Sequence, residues 1–204
     1  MTDDILLSAR NISVRFGGVL AVNDASFDVR RGEVFTLIGP NGAGKTTVFN
    51  LISRIYNPTA GSITFEGQPL TAQPPHRIAA LGIARTFQNI ELFEHASVLH
   101  NLLIGRHTHH RSGVFSEMLF TRKVRAAEIT AREKVEQVID LLDLQHHRDT
   151  MVAGLPYGVR KVVELARALC TEPKLLLLDE PSSGLNVEET GDMAFWIQDI
   201  KHEL

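Results

Sequence analysis

Single polar residues separate Ile12, Val14 and Phe16, and the apolar–polar alternation over residues 6–16 predicts a β-strand. Alternation returns at 25–29 (Ala-Ser-Phe-Asp-Val) and at 62–65, and each stretch runs into a turn signal, Arg31-Gly32 and Glu66-Gly67. Between them, residues 34–38 form a nearly continuous apolar run, which predicts a short strand buried on both faces as in a parallel sheet. Residues 48–55 read as helical. In the middle of the chain, Ser97 is placed to cap a helix opening with Val98-Leu99. Residues 122–142 carry Ile129, Val135, Val138, Ile139 and Leu142 among charges, the pattern of a long amphipathic helix. No strand signal occurs over 88–155, so this stretch is expected to be an inserted helical subdomain. Residues 158–170 predict a helix, Pro173 breaks it, and the four leucines 175–178 predict a second fully buried strand. Residues 188–204 begin acidic and place Met193, Phe195, Trp196 and Ile200 on a final helix. In an α/β fold such a helix leads back into the sheet, so a longer form of the chain is expected.

A chain of 204 residues suffices for one sizeable core, or a core with a small subdomain. With 44% hydrophobic and 22% charged residues it has ordinary globular composition. A net charge of −3 leaves no electrostatic footprint for nucleic acid, and the short basic run at 122–125 reads as a solvated helix end. The one cysteine, Cys170, follows Leu165, Ala166 and Leu169 and reads as a small buried hydrophobe. No apolar run approaches the ~20 residues of a membrane helix, and the acidic start Met1-Thr2-Asp3-Asp4 argues against a signal peptide. A cytoplasmic location is expected, with any membrane role exercised through a partner. His107, His109 and His110 lack a Cys or carboxylate at ligand spacing and read as a polar loop.

Residues 39–47, Gly-Pro-Asn-Gly-Ala-Gly-Lys-Thr-Thr, match G-x-x-x-x-G-K-[ST] between a predicted strand and a predicted helix. The chemistry explains the residue types. Glycines let the backbone curl until its N–H groups converge on phosphate oxygens, and the following helix adds the positive end of its dipole. Lys45 supplies a point charge to the β- and γ-phosphates, and Thr46 offers a hydroxyl to Mg²⁺. The aliphatic run 175–178 then ends in Asp179-Glu180. A carboxylate at the end of a dry strand needs a compensating partner. Mg²⁺ is the natural one for Asp179, and Glu180, next along, is placed to polarise an attacking water. These two elements specify a P-loop NTPase.

The intervening segments narrow the class. Asn41 in the loop, Arg85-Thr86-Phe87-Gln88, the stretch Leu155-Pro156-Tyr157-Gly158-Val159-Arg160 leading into 164–169, and Ser183-Gly184-Leu185-Asn186 together resemble the ABC-transporter ATPases over essentially the whole chain. Residues 14–22, the Asn89 after Gln88, the run 101–106 and the Tyr-Gly form of the signature point within that family to the branched-chain amino-acid importer ATPases.

The resemblance implies an α/β fold with a P-loop NTPase (RecA-like) core over 1–87 and 156–204, an N-terminal antiparallel β subdomain, and a helical subdomain over 88–155. It implies ATP and Mg²⁺ as cofactors. ATP would be bound by Phe16, Asn41, Gly42, Ala43, Gly44, Lys45, Thr46 and Thr47, with Tyr157 and Gly158 facing the partner's nucleotide. Mg²⁺ would be held by Thr46, Gln88 and Asp179, and catalysis would rest on Glu180, Gln88 and Lys45. A second ATPase subunit, identical or paralogous, transmembrane permease subunits and, indirectly, a substrate-binding protein are the implied partners, at the inner face of the cell membrane.

The sequence also departs from the family. The signature serine is replaced by Pro156, which can still open a helix, and Val159 stands where glutamine is usual. Asn186 ends the D-loop where Asp is commoner. The family's switch histidine lies on a later strand than this chain reaches, and His202, in the final helix, does not take that role. Two alternatives therefore stay open: a nucleotide-binding fragment without hydrolysis, and an ABC ATPase serving other cargo such as urea, amides or an exported lipid.

Overall fold

In a computed structural model, residues 4–86, 90–106 and 122–203 are described. The chain divides into two compact units, one built on residues up to 83 and the other on residues 84–200.

The first unit is a four-stranded antiparallel sheet in the order β2-β1-β3-β4, formed by β1 (Ile5–Phe16), β2 (Val19–Arg30), β3 (Ala60–Phe65) and β4 (Gln68–Pro69), with helix α1 (Lys45–Ile52). Strands β1 and β2 make a hairpin across Gly17-Gly18, with Phe16 opposite Val19. Gly17 supplies the positive φ of 56° that so tight a turn needs. Leu7, Ala9, Ile12 and Val14 of β1 are buried, as are Ile63 and Phe65 of β3. The alternation slips by one between Ala9 and Ile12, where the register shifts at Asn11 (φ 49°). Such a bulge is how a strand re-aims its apolar face. Facing the bulge, Gly61 has φ 84°, and a Cβ there would overlap the carbonyl oxygens of Asn11 and Arg10.

One expectation fails in this unit. Residues 34–38 are not in a strand, Val34 is 52% exposed and Ile38 91% exposed. Phe35 stacks on Phe27 with centroids 5.3 Å apart, and Leu37 is half-buried. An apolar run reports a demand for burial, but a doubly buried strand also needs pairing neighbours on both sides. Among the described residues none pairs with 34–38.

The second unit is helical around one apolar core. Helices α2 (Val98–Gly105), α3 (Arg122–Leu141), α4 (Tyr157–Leu169) and α5 (Val187–Glu203) contribute Leu102, Val135, Ile139, Val163, Ala166, Met193 and Ile200. As the sequence predicts, Ser97 caps α2, its hydroxyl accepting from the His100 N–H at 3.3 Å. Buried Asn101 pins the preceding segment, accepting from the Phe93 N–H at 2.8 Å and donating to the Phe93 carbonyl at 3.0 Å. Gly105 lets α2 approach α4, since a Cβ there would lie 2.5 Å from the Arg167 carbonyl oxygen. The leucine run makes a shorter and less buried strand than the sequence predicts. Strand β6 (Leu175–Leu177) pairs with β5 (Ile83–Arg85) in a two-stranded sheet, and of the four leucines only Leu177 is fully buried. A strand covered by one neighbour keeps part of its surface open. No helix of the described residues is long and apolar enough to cross a membrane.

Gly61→Ala is expected to lower the unfolding free energy by about 2 kcal/mol or more, since positive-φ strain alone costs about 1–3 kcal/mol. Gly18→Ala, where a Cβ meets nothing within 4 Å, is expected to be near neutral. Urea unfolding with an unchanged slope checks both. Burial pushes the Cys170 thiol up to about 12, against a smaller opposing pull from the Arg106 guanidinium. Cys170 should therefore resist iodoacetamide at pH 8 in the folded protein and react once urea unfolds it.

Candidate functional site

The phosphate loop belongs to the first unit. A turn closes at its start, where the Ala43 N–H donates to the Pro40 carbonyl at 3.1 Å. Gly42 (φ 83°) and Gly44 (φ 85°) both take the left-handed conformation. Gly44 has a second constraint: a Cβ there would lie 2.5 Å from the Ala21 carbonyl oxygen, so the loop rests directly on the backbone of β2. Gly44 is also the N-cap of α1, with no side-chain cap and no acidic residue in the first turn. The first N–H groups of α1 are thus left to an external acceptor, and the helix dipole favours an anion. The Lys45 ammonium folds back over the loop, donating to the carbonyls of Gly39 at 2.7 Å and Pro40 at 3.0 Å. Asn41, Gly42, Ala43 and Thr46 are exposed, and Thr47 is half-buried. Uncapped N–H groups, an ammonium held on weak neutral acceptors and a threonine hydroxyl suit a phosphate chain carrying a hard cation.

Phe16, at the end of β1, is 42% exposed, which suits a stacking platform better than a core residue. Its ring meets Tyr56 edge-on, with centroids 4.8 Å apart and planes at 68°. Tyr56 carries no motif and was not legible in the sequence.

The acidic pair belongs to the second unit. Asp179 follows β6 and is 4% exposed. Its Oδ2 accepts from Arg85 Nη2 at 3.0 Å, in an ion pair whose side chains are 9% and 5% exposed. The guanidinium thus supplies the cation that a buried carboxylate requires, and it marks Asp179 as a carboxylate built to be met by positive charge. Its signal in the sequence was a basic residue ending β5. Glu180 is exposed and takes a positive φ of 49°, and its backbone carbonyl accepts from the Ser183 N–H at 3.0 Å, so the chain turns sharply away from the strand.

The signature residues open α4. Pro156 is the N-cap, again with no side-chain cap, and Tyr157 is 48% exposed while Gly158 is buried. The Tyr157 ring lies against Gly184, where a Cβ would come within 2.8 Å of its Cε1, and its hydroxyl donates to the Ser183 carbonyl at 3.5 Å. Lys161 lies 5.9 Å over the same ring. Asn186 and Glu189 form a reciprocal cap on α5, each side chain accepting from the other's N–H at 2.9 Å. A Cβ at Gly158 would run into the Glu189 carboxylate. The structure therefore brings the signature and the D-loop together at the starts of α4 and α5. Gln88, His107, His109 and His110 lie outside the described residues.

Comparison with known proteins agrees with this geometry. The ABC transporter family profile matches residues 22–183. The chain is 40% identical over 197 residues to the high-affinity branched-chain amino acid transport ATP-binding protein LivG of Salmonella typhimurium, covering 97% of this chain and 77% of that protein. It is 37% identical over 198 residues to the corresponding protein BraF of Pseudomonas aeruginosa, covering 97% and 78%. Among solved structures, an ATP-binding cassette of an ABC transporter in its ADP conformation superposes with a TM-score of 0.81 at 30% identity, over 98% of this chain and 78% of that one. The P-loop NTPase fold of those cassettes is therefore the fold of this chain. With the profile spanning most of its length and these identities across nearly all of it, the chain belongs to the ABC transporter family.

Proposed function

We propose that this chain is the ATP-binding and hydrolysing subunit of an ABC importer that takes up branched-chain amino acids. The observation that carries the nucleotide chemistry is the Lys45 ammonium poised on the Gly39 and Pro40 carbonyls above an uncapped helix N-terminus. Those carbonyls are weak partners for a full positive charge, and phosphate oxygens are better ones. Support for the cargo is the 40% identity to a branched-chain amino acid transport ATP-binding protein.

In this reading Lys45 and the N–H groups of residues 42–47 bind the β- and γ-phosphates, and the paired rings of Phe16 and Tyr56 take the adenine. Thr46, Asp179 and Gln88 would hold Mg²⁺, which would neutralise charge on the phosphates. Glu180 orients and polarises the attacking water. The N–H groups of Tyr157 and Gly158 face the γ-phosphate held by a second ATPase subunit, the same chain or a paralogue. Residues 1–87 and 156–204 form the nucleotide-binding core and 88–155 the helical subdomain that docks on transmembrane permease subunits. The assembly sits at the inner face of the membrane and receives cargo from a substrate-binding protein.

Lys45→Ala is expected to weaken ATP binding by about tenfold or more, the worth of a hydrogen bond to a charged group. Equilibrium titration with a fluorescent ATP analogue reads this. Glu180→Gln is expected to keep ATP binding and to lose turnover by a factor of about 10² to 10⁴. Normal steady-state hydrolysis in that variant would remove Glu180 from the general-base role.

A further inference from the structure

We propose that Arg85 is the counter-ion that holds Asp179 in the metal-free protein, and that a divalent cation binds Asp179 in competition with it. The proposal rests on the reading of Asp179 as a Mg²⁺ ligand.

Three observations carry it. The Arg85–Asp179 contact is buried on both sides, with 9% and 5% of the two side chains exposed. By contrast, Arg10–Asp28, with 50% and 33% exposed, is an ordinary surface pair of small consequence. Strand pairing delivers the guanidinium: the Thr86 N–H donates to the Leu177 carbonyl at 3.0 Å, fixing the residue after Arg85 beside the strand that leads into Asp179. The contact also engages a carboxylate oxygen, Oδ2, and carboxylate oxygens are what a hard divalent cation takes.

The physical consequence is a balance. Without metal, a carboxylate so far out of water would be left uncompensated if Arg85 were absent. With metal, the fixed positive charge of Arg85 opposes the incoming cation and has to give up part of its own contact. Arg85 thereby stabilises the empty state and weakens cation binding. Arg85 acts on the cation only through its hold on Asp179 and does not itself touch the reacting atoms.

The test uses the whole 204-residue chain as wild type, Arg85→Gln, Arg85→Lys and Asp179→Asn. Two quantities are measured: the unfolding midpoint in EDTA without nucleotide, and the affinity for Mn²⁺ in the presence of ADP, read from the paramagnetic resonance signal of free Mn²⁺. Arg85→Gln is expected to lower the metal-free midpoint by about 5 °C or more and to tighten Mn²⁺ binding by about threefold or more. Arg85→Lys is expected to fall between Arg85→Gln and wild type on both, and it carries the test if Arg85→Gln does not fold. Weaker or unchanged Mn²⁺ binding in the Arg85 variants overturns the proposal: weaker binding makes Arg85 an orienting partner of the ligand, and unchanged binding makes the pair purely structural. Mn²⁺ binding that is unaltered in Asp179→Asn overturns the metal reading of Asp179 itself, whatever the Arg85 variants do.

Discussion

The buried ion pair between Arg85 and Asp179, the latter only 4% exposed, is the contact on which the strand ends of the second unit depend. Asp179 has to leave an aliphatic strand at a defined point, so β6 is anchored to β5 there, with the Thr86 N–H on the Leu177 carbonyl. The same pairing carries Arg85 to within hydrogen-bonding distance of Asp179. Directly beyond, Glu180 turns the chain with a positive φ, and the segment through Gly184 closes onto Tyr157. Strand, ion pair, acidic turn and signature helix form a single connected run of contacts inside the unit, each element setting the next.

The first unit solves the opposite electrostatic problem, which is to gather positive potential with very little formal charge. It does so with backbone. Gly44 lies so close to the Ala21 carbonyl that no side chain fits between them, and the loop is thereby seated on the β1–β2 hairpin. The hairpin is shaped by local features: a two-glycine turn, a bulge at Asn11 and the close approach of Gly61 to it. A loop seated on such a sheet presents its N–H groups in a fixed curve, and an α-helix opening at Lys45 without a side-chain cap keeps them unspent. Lys45 alone adds a full charge. Membership of the ABC transporter family, shown by the profile and by the identities, says what such a loop is for.

Most of the local architecture could be read from sequence. Strand β1, the second half of β2, the Ser97 cap, the long amphipathic helix and the helix opening at the phosphate loop all follow from periodicity and from residues within a few positions of one another. The failures share a cause. Residues 34–38 and the leucines 175–178 both demanded burial, yet burial depends on which strands come to lie beside them, and that is not written in the run itself. Tyr56, and the pairing of Arg85 with Asp179, were missed because Phe16 and Asp179 are remote from them in sequence and share no spacing with them.

By itself, then, the sequence determined the chemistry on offer: a glycine-rich loop with a lysine, a carboxylate pair after an aliphatic run, and the ordered motifs of one family. Those follow because phosphate binding is done by consecutive backbone groups, and consecutive groups leave a contiguous pattern. Only the tertiary structure decided how each charge is compensated, with Lys45 on carbonyls of its own loop and Asp179 on an arginine 94 positions away. Compensation of buried charge acts through space over a few ångströms, and distance along the chain carries no record of it.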